Sequence, residues 1–402
     1  MIRSAGRELI DAVIVGAGMV GAATALALAR AGLKVAVIER HPVSPPQPGE
    51  PVDLRVVAIA PHAQRLLSEL GVWADIAAVR ACAYQRMQVV DAAGGSSLSF
   101  AAADYGWPCL GHIVENRLVA GALWRAVERE SGVRLLLGDE LQSFETDSAG
   151  VRVRLASGGV LGARLLVAAD GVNSRVRNEL LIGVDGAPYG QSGLMAHIDL
   201  ERPQPGLAWQ RFLPSGPLAF LPLSDGRASI VWTLPTERAN ALVAEPVEQF
   251  EAQLQRASAG QFGRVRLAAE RAAFPLRLQI AQRFVDQRVI LVGDAAHVVH
   301  PLAGQGVNLG FEDISALLAS VARARAAQRA PFGDSDLLRW GRERRSEATL
   351  AARAFDGLNR LYGVAEGPLV AARALGLRVI DHLPPVKRKL AERAAGIRAG
   401  AL

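Results

Sequence analysis

The chain has 402 residues, 50% of them hydrophobic and 21% charged, with a formal net charge of +6. That is enough to bury a large core in two domains, and it excludes a disordered or collagen-like chain. Two cysteines exclude a disulfide framework, and a basic excess built on arginine, with no helix-turn-helix, zinc spacing or RNP-like motif, excludes nucleic acid as a partner.

Residues 11–40, DAVIVGAGMVGAATALALARAGLKVAVIER, organise the rest. Ala12–Val15 is an apolar run of the kind buried in a parallel sheet. The turn Gly16-Ala17-Gly18-Met19-Val20-Gly21 follows, then an Ala/Leu-rich helix to Arg30 that Gly32 stops, and a second strand, Val35–Ile38, ending at Glu39. In this G-x-G-x-x-G arrangement Gly16 permits the tight turn, Gly18 lets the backbone approach a pyrophosphate, and Gly21 lets the helix pack on the strand. The helix start offers N–H groups to phosphates, and Glu39 can accept from a ribose hydroxyl. This pattern predicts dinucleotide binding. The uncharged span Ala12–Ala29 has the length of a membrane span, but its three glycines and its division into strand and helix argue against one.

A proline-rich loop, Pro42–Pro51, leads to Val52–Ile59 and a helix over roughly 61–70 closed by Gly71. Arg55, between loop and helix, can reach a phosphate or simply face water. Tyr84–Asp91 and Ser97–Phe100 read as a hairpin crossing to a second domain. An amphipathic helix follows with Leu118, Leu123, Trp124 and Val127 on its apolar side. From Val133 to Ala169 four strands read as a β-meander, whose last strand places Asp170 at its tip, where an α/β fold has its ligand crevice. Ser174 is placed to cap the next helix. Residues 184–274 bring prolines, alternating runs and one amphipathic helix, Pro246–Ser258, the pattern of an antiparallel sheet with a helix on one face. The buried strand Arg288–Val292 then ends in Gly293-Asp294-Ala295-Ala296-His297, and a loop from Pro301 opens a helix from about Val307 to Arg325. Helices with Arg/Glu faces complete the chain, broken at Pro384-Pro385. Cys82 and Cys109 read as buried small hydrophobes, and the low cysteine usage suits a reducing cytoplasm.

Three separated stretches decide the chemistry together. The glycine turn at 16–21, Ala169–Arg177 (ADGVNSRVR), and Leu291–His297 (LVGDAAH) with Pro301 and Gly304–Gly310 (GQGVNLG) resemble, in order and spacing, the three fingerprints of the class A flavoprotein aromatic hydroxylases. The resemblance covers the whole chain. It implies an α/β protein with a Rossmann-like FAD-binding domain (1–183 and 275–330, with the hairpin near 84–104 serving the substrate side). It also implies a smaller antiparallel β-sheet substrate domain (184–274) and a C-terminal helical region (331–402). FAD is the implied cofactor. Gly16, Gly18, Gly21 and Glu39 would hold its ADP half, with Arg55 and Arg117 adding charge near the diphosphate. Asp170 would serve FAD and the use of NAD(P)H, and Asp294 would accept from the ribityl chain. Gly304, Gly306 and Asn308, at a helix start, would aim main-chain N–H groups at the flavin. The catalytic candidates are the flavin-loop residues Pro301, Gly304, Gln305 and Gly306. His297 and His300 flank that loop as proton relays or as structural histidines. No triad or metal cluster is present.

Within the family, Asp53–Ile59, Trp209–Phe212, Gly216–Pro222, Ile230–Pro235 and Asp381–Leu390 are similar to blocks of the ubiquinone-biosynthesis hydroxylases (the UbiH/UbiF/VisC group). The departures at Ile59 and at Glu312-Asp313 are expected to leave the cofactor motifs untouched. The implied reaction is ring hydroxylation of a polyprenylated phenol with O2, through a flavin C4a-hydroperoxide. With no second G-x-G-x-x-G, NAD(P)H would bind transiently or another reductase would supply electrons. The alternatives are hydroxylation of a small soluble aromatic, a prenyl-chain reductase of the same fold, and a non-enzymatic escort for prenylated partners. A halogenase would need a lysine near the flavin, and none lies between Lys34 and Lys387. From Leu361 onward seven basic residues face three acidic ones, a net +4, and Leu369, Val370, Ala374, Leu375, Leu377 and Ile380 lie close to helical spacing. That tail either docks the protein peripherally on the inner face of a membrane, a lipid carrier or a soluble biosynthetic complex, or covers the flavin domain with its charges in water. A homo-oligomer fits this reading equally.

Overall fold

The computed structural model describes residues 10–47, 49–300 and 306–396. Its central sheet grows from the organising stretch. Ile10–Val15 and Val35–Glu39 run parallel, joined by α1 (Met19–Arg30), and Ile10–Val15 pairs on its other flank with Val160–Ala168. Val289–Leu291 extends the sheet beyond Val160–Ala168, and Val133–Leu137 borders Val35–Glu39, both again parallel. Strands covered on both faces must be apolar throughout, and Val13, Ile14, Leu165, Leu166, Ile290 and Leu291 are wholly buried. α2 (Pro61–Glu69), α3 (Trp73–Arg80), α4 (Asn116–Arg129) and the short α5 (Arg175–Glu179) complete this part. The expected meander has three strands, not four. Leu141–Thr146, Val151–Leu155 and Val160–Ala168 pair antiparallel in turn, whereas the crossover through α4 returns Val133–Leu137 parallel to Val35–Glu39.

The second large sheet is built on the long strand Pro188–Leu200, with Ala228–Pro235 on one side and Val265–Leu267 and Ala272–Arg277 on the other. Gly216–Pro222 and Leu207–Leu213 continue it, and the hairpin Arg86–Asp91/Ser97–Ala101 completes it. One face buries Leu194, Ile198 and Phe220 against Leu242 of α6 (Thr236–Ala244) and Phe250 and Leu254 of α7 (Val247–Ala257). The sequence pattern predicted α7 alone; α6 follows directly from the strand Ala228–Pro235, with no loop between them. The opposite face packs on a small sheet of Val56–Ile59, Gly111–Glu115 and Cys82–Tyr84.

The chain returns to the first sheet with α8 (Gly306–Ala326) and α9 (Asp334–Gly363), then ends in α10 (Pro368–Asp381) and α11 (Pro384–Ala394). α9 bridges the two parts: Trp340 lies in the core of the first, and Tyr362 stacks on Phe212 of the second, ring centroids 4.0 Å apart. α10 packs on the edge strand Ser97–Ala101, pinned by a buried bidentate pair in which Arg373 Nε and Nη2 donate to Asp91 at 2.8 and 3.0 Å. The tail therefore covers the substrate-sheet edge and, near its end, meets the flavin side, where the His62 main-chain N–H donates to Ala395 O at 3.2 Å. Of the apolar tail residues expected on one stripe, Ala374 and Leu377 point inward, while Leu369 and Leu375 are exposed. Cys109 is buried and Cys82 half-buried, both as free thiols. No helix among the described residues is long and apolar enough to cross a membrane.

Candidate cofactor site and substrate face

The glycine turn has the geometry of a cradle. At Gly16, φ is +94°, and a Cβ there would lie 2.5 Å from Ala169 O, so only glycine fits. A Cβ on Gly21 would sit 2.0 Å from Gly16 O, which is how closely α1 seats on the turn. Gly18 is the opposite case: its Cβ would enter open space in front of the α1 N-terminus, which has neither a side-chain cap nor an acidic residue in its first turn. Uncapped N–H groups facing open space make an anion site. Glu39 is aimed at the same turn, its Oε2 accepting from Ala17 N–H at 2.5 Å and its Oε1 from His41 N–H at 3.1 Å.

The second motif meets the third through a residue that sequence reasoning did not single out. Arg177 is buried and donates to Ala295 O and to Val172 O, both at 3.0 Å, so it staples the two loops together. Burial pulls its pKa down and the nearby Asp170 charge opposes the shift. Asp170 Oδ2 accepts from Val176 N–H at 3.2 Å at the start of α5, which Ser174 Oγ also caps. Asp170 Oδ1 is buried without a partner among the described residues, an acceptor still open.

Asp294 follows the buried strand Val289–Leu291. It is accessible to solvent yet enclosed by protein on most sides, and this desolvation raises its carboxyl pKa, with His297 and Arg55 opposing. The Arg55 charge thus reaches the Asp294 carboxylate, although Arg55 is exposed and also lies 5.2 Å over the Phe274 ring. Arg117 sits in α4 and pairs with Glu50 at 3.2 Å. Val20 of α1 nests against Gly293 and Gly310: a Cβ on Gly310 would lie 2.5 Å from Val20 Cγ2. First and third motifs are thereby in contact.

Asp313 overturns one expectation. Far from leaving the cofactor motifs untouched, it holds their geometry. Its Oδ2 accepts from Gly293 N–H at 3.0 Å and meets His297 Nε2 at 2.7 Å, while Oδ1 accepts from Arg344 Nε at 2.7 Å. All four groups are buried. Burial alone would raise the Asp313 pKa, but the His297 and Arg344 charges and the donated hydrogen bonds hold it below the usual carboxylate range. His297 is therefore engaged in a structural network. Asn308 is engaged as well, its Oδ1 accepting from Ala60 N–H at 3.0 Å, its Nδ2 donating to Ala58 O at 2.8 Å, and its main-chain carbonyl meeting His62 Nε2 at 3.2 Å. Spacing could not reveal either network, because the partners lie on other elements.

Gly306 opens α8, and a Cβ there would meet nothing within 4 Å. Pro301, Gly304 and Gln305 lie outside the described residues. His300 is buried beside Tyr189, ring centroids 5.2 Å apart, and neither ring nitrogen nor the Tyr189 hydroxyl has a partner among the described residues. Burial pushes the His300 pKa down to about 4 and the Tyr189 pKa up to about 12, so His300 is a neutral acceptor-donor and Tyr189 a protonated phenol at neutral pH.

Between the second large sheet and the small sheet lies a narrow space of about 10 Å³, bounded by Ala58, Tyr84, Met87, Ile113, Gln210 and Leu221. It holds no charged side chain, and burial raises the pKa of Tyr84, which stays protonated. Ala58 belongs to both places, since its carbonyl accepts from Asn308 at the start of α8. Among the described residues no group of three or more potential metal ligands is assembled.

A split nucleotide cradle with a carboxylate at each strand tip, set against an apolar antiparallel sheet, defines a flavoprotein fold. The residues fit FAD: an uncapped helix start for a diphosphate, Glu39 and Asp294 for sugar hydroxyls, and an unpartnered Asp170 oxygen. The family model for the FAD binding domain matches residues 10–353. The chain is 36% identical over 390 residues to ubiquinone hydroxylase UbiL of Rhodospirillum rubrum, covering 97% of this chain and 90% of that one. It is 35% identical over 384 residues to 3-demethoxyubiquinol 3-hydroxylase of Escherichia coli, covering 96% and 98%. Among solved structures, p-nitrophenol 4-monooxygenase PnpA of Pseudomonas putida superposes with a TM-score of 0.74 at 20% identity over 98% of this chain and all of that one, a likeness of fold. The chain belongs to the FAD-binding-domain family and is an FAD-dependent aromatic monooxygenase.

Proposed function

We propose that the chain hydroxylates the aromatic ring of a polyprenylated phenol in ubiquinone biosynthesis, using O2 and electrons from NAD(P)H or a partner reductase. The observation that carries the substrate class is the likeness, at 36% and 35% identity over nearly the full length, to a ubiquinone hydroxylase and a 3-demethoxyubiquinol 3-hydroxylase. The side chains that meet between the second large sheet and the small sheet are uncharged, which agrees with an apolar substrate rather than with an aromatic acid, whose buried carboxylate would need a cation.

FAD, when bound and reduced, supplies the oxygen activation that no side chain can. This chain's residues do the rest. The α1 start, Glu39, Asp170 and Asp294 would bind and orient the cofactor. The packed sheets exclude water. Peripheral membrane docking is part of the proposal. α10, α11 and the link between them carry six of the fourteen large apolar side chains exposed among the described residues (Leu369, Leu375, Val379, Leu383, Val386 and Leu390), and Arg378, Arg388, Lys389 and Arg393 lie exposed among them. An apolar row with cations is suited to an anionic bilayer, the phase that holds a polyprenyl substrate.

The test is turnover of a short-chain prenylated phenol by the purified, FAD-loaded protein with a chemical or enzymatic electron donor. Isotopically labelled O2 should place one labelled oxygen on the ring, and argon should stop the reaction. Turnover that persists under argon would favour the prenyl reductase, and preferential hydroxylation of a soluble aromatic acid would remove the prenylated substrate.

A further inference from the structure

We propose that a groove along α9 docks an acidic amphipathic helix of another protein. The groove, about 520 Å³, runs between α9 and residues 282–285, on the side of α9 away from the Asp313 network. Its α9 wall consists of positions 338, 341, 342, 345, 346, 349, 350 and 353, one continuous helix face. Sixteen residues of helix make a wall roughly 24 Å long at 1.5 Å per residue. Gly341 sets the depth: a Cβ there would lie 2.6 Å from Val285 Cγ2, so α9 can lie directly on the opposite wall only because this position is bare.

The charge of this wall is one-sided. Arg283, Arg342, Arg345 and Arg353 line the groove, and no carboxylate does. Arg283 pairs with Asp286 at 3.0 Å and Arg345 with Asp185 at 3.1 Å, both outside the lining, while Arg342 and Arg353 form no ion pair among the described residues. Leu338 and Leu350, near the two ends, are 53% and 52% exposed. Guanidinium groups spread along three to four turns, none of them fully buried, do not converge on a compact anion. They match a row of carboxylates along a helix whose apolar stripe covers the two leucines.

The occupant is not this chain. A two-fold pairing of the face with itself would set arginine against arginine, which is repulsive. The terminal segments outside the described residues, 1–9 and 397–402, carry Arg3, Arg7 and Arg398 against Glu8 alone, so neither complements the groove.

The test uses a fluorescent synthetic helix of sixteen residues with a leucine stripe flanked by glutamates, its scrambled sequence, and vesicles containing phosphatidylglycerol, each with the full-length FAD-loaded protein. Anisotropy should report binding of the acidic helix that weakens by about tenfold or more in Arg342→Glu/Arg353→Glu and, separately, in Leu338→Ser/Leu350→Ser. FAD content and hydroxylation of a prenylated phenol should stay unchanged in both, which separates this proposal from the enzymatic reading. A lysine-flanked version of the helix should bind the Arg→Glu variant better than the wild type. The proposal is overturned if the scrambled peptide binds as well, if the leucine variant has no effect, if the lysine helix fails to rescue, or if the arginine pair is needed for vesicle binding alone.

Discussion

Asp313→Asn probes whether the network behind the third motif acts as one unit. The substitution keeps the shape and one carbonyl acceptor but removes the charge. If the amide oxygen stays on Gly293 N–H and His297, the new NH2 group confronts the guanidinium of Arg344, which is wholly buried. Breaking a buried pair from one side costs about 3–5 kcal/mol. Arg344 retains Glu312 at 3.3 Å and the Glu347 carboxylate, so the expected loss is at the lower end, about 3 kcal/mol. Urea unfolding of both proteins without added FAD, followed by tryptophan fluorescence, measures it; Trp340 donates to Asp313 O at 3.2 Å and reports on the spot. The pH dependence is a second check. The folded-state pKa of Asp313 is depressed, so its contribution is present above the unfolded value of about 3.9 and is lost as pH falls through the folded value. The wild-type advantage should be flat at neutral pH and shrink only below about pH 4. A difference under about 1 kcal/mol, or one that already fades near pH 6, would refute the account of a charged, cooperative network.

Asp294→Ala should release flavin, since a buried sugar hydroxyl loses its acceptor at a cost of about 1–3 kcal/mol; full FAD occupancy at stoichiometric concentration would contradict the placement. Gly310→Ala forces a methyl against Val20 and should destabilise by about 1–3 kcal/mol, with Val20→Ala restoring most of the loss; a neutral Gly310→Ala, read by thermal unfolding, would mean that α1 and α8 are not in close contact. For His300, whose folded pKa is lowered to about 4, the unfolded chain binds the extra proton first. Wild type should therefore lose stability relative to His300→Asn as pH falls from about 6.5 to about 4, and parallel curves over that window would show that His300 is not buried neutral. Finally, the protein should float with anionic liposomes at low salt, and Leu375→Ser/Val379→Ser should float less; equal flotation of the two would remove α10 from the membrane contact.

The cofactor half of this protein was readable from the chain because its signals are local. The 16–21 turn, Glu39 at the next strand end and the acids after apolar strands each need only their neighbours in sequence to take their conformation, since glycine torsions and strand burial are short-range constraints. Helices with strong punctuation, such as α2 between Pro61 and Gly71, were equally plain. Contacts across the fold were not. That Val133–Leu137 would leave the meander for the parallel edge, that Arg177 would reach across to Ala295, and that Asp313 would hold Gly293 depend on partners between 20 and 118 positions away along the chain, and a carboxylate or an apolar strand looks the same whichever partner it finds. The tail makes the point most directly: its charge was visible, but which of Leu369, Ala374, Leu375 and Leu377 face outward was decided only when Arg373 met Asp91 across 282 positions and fixed the rotation of α10 on the substrate sheet.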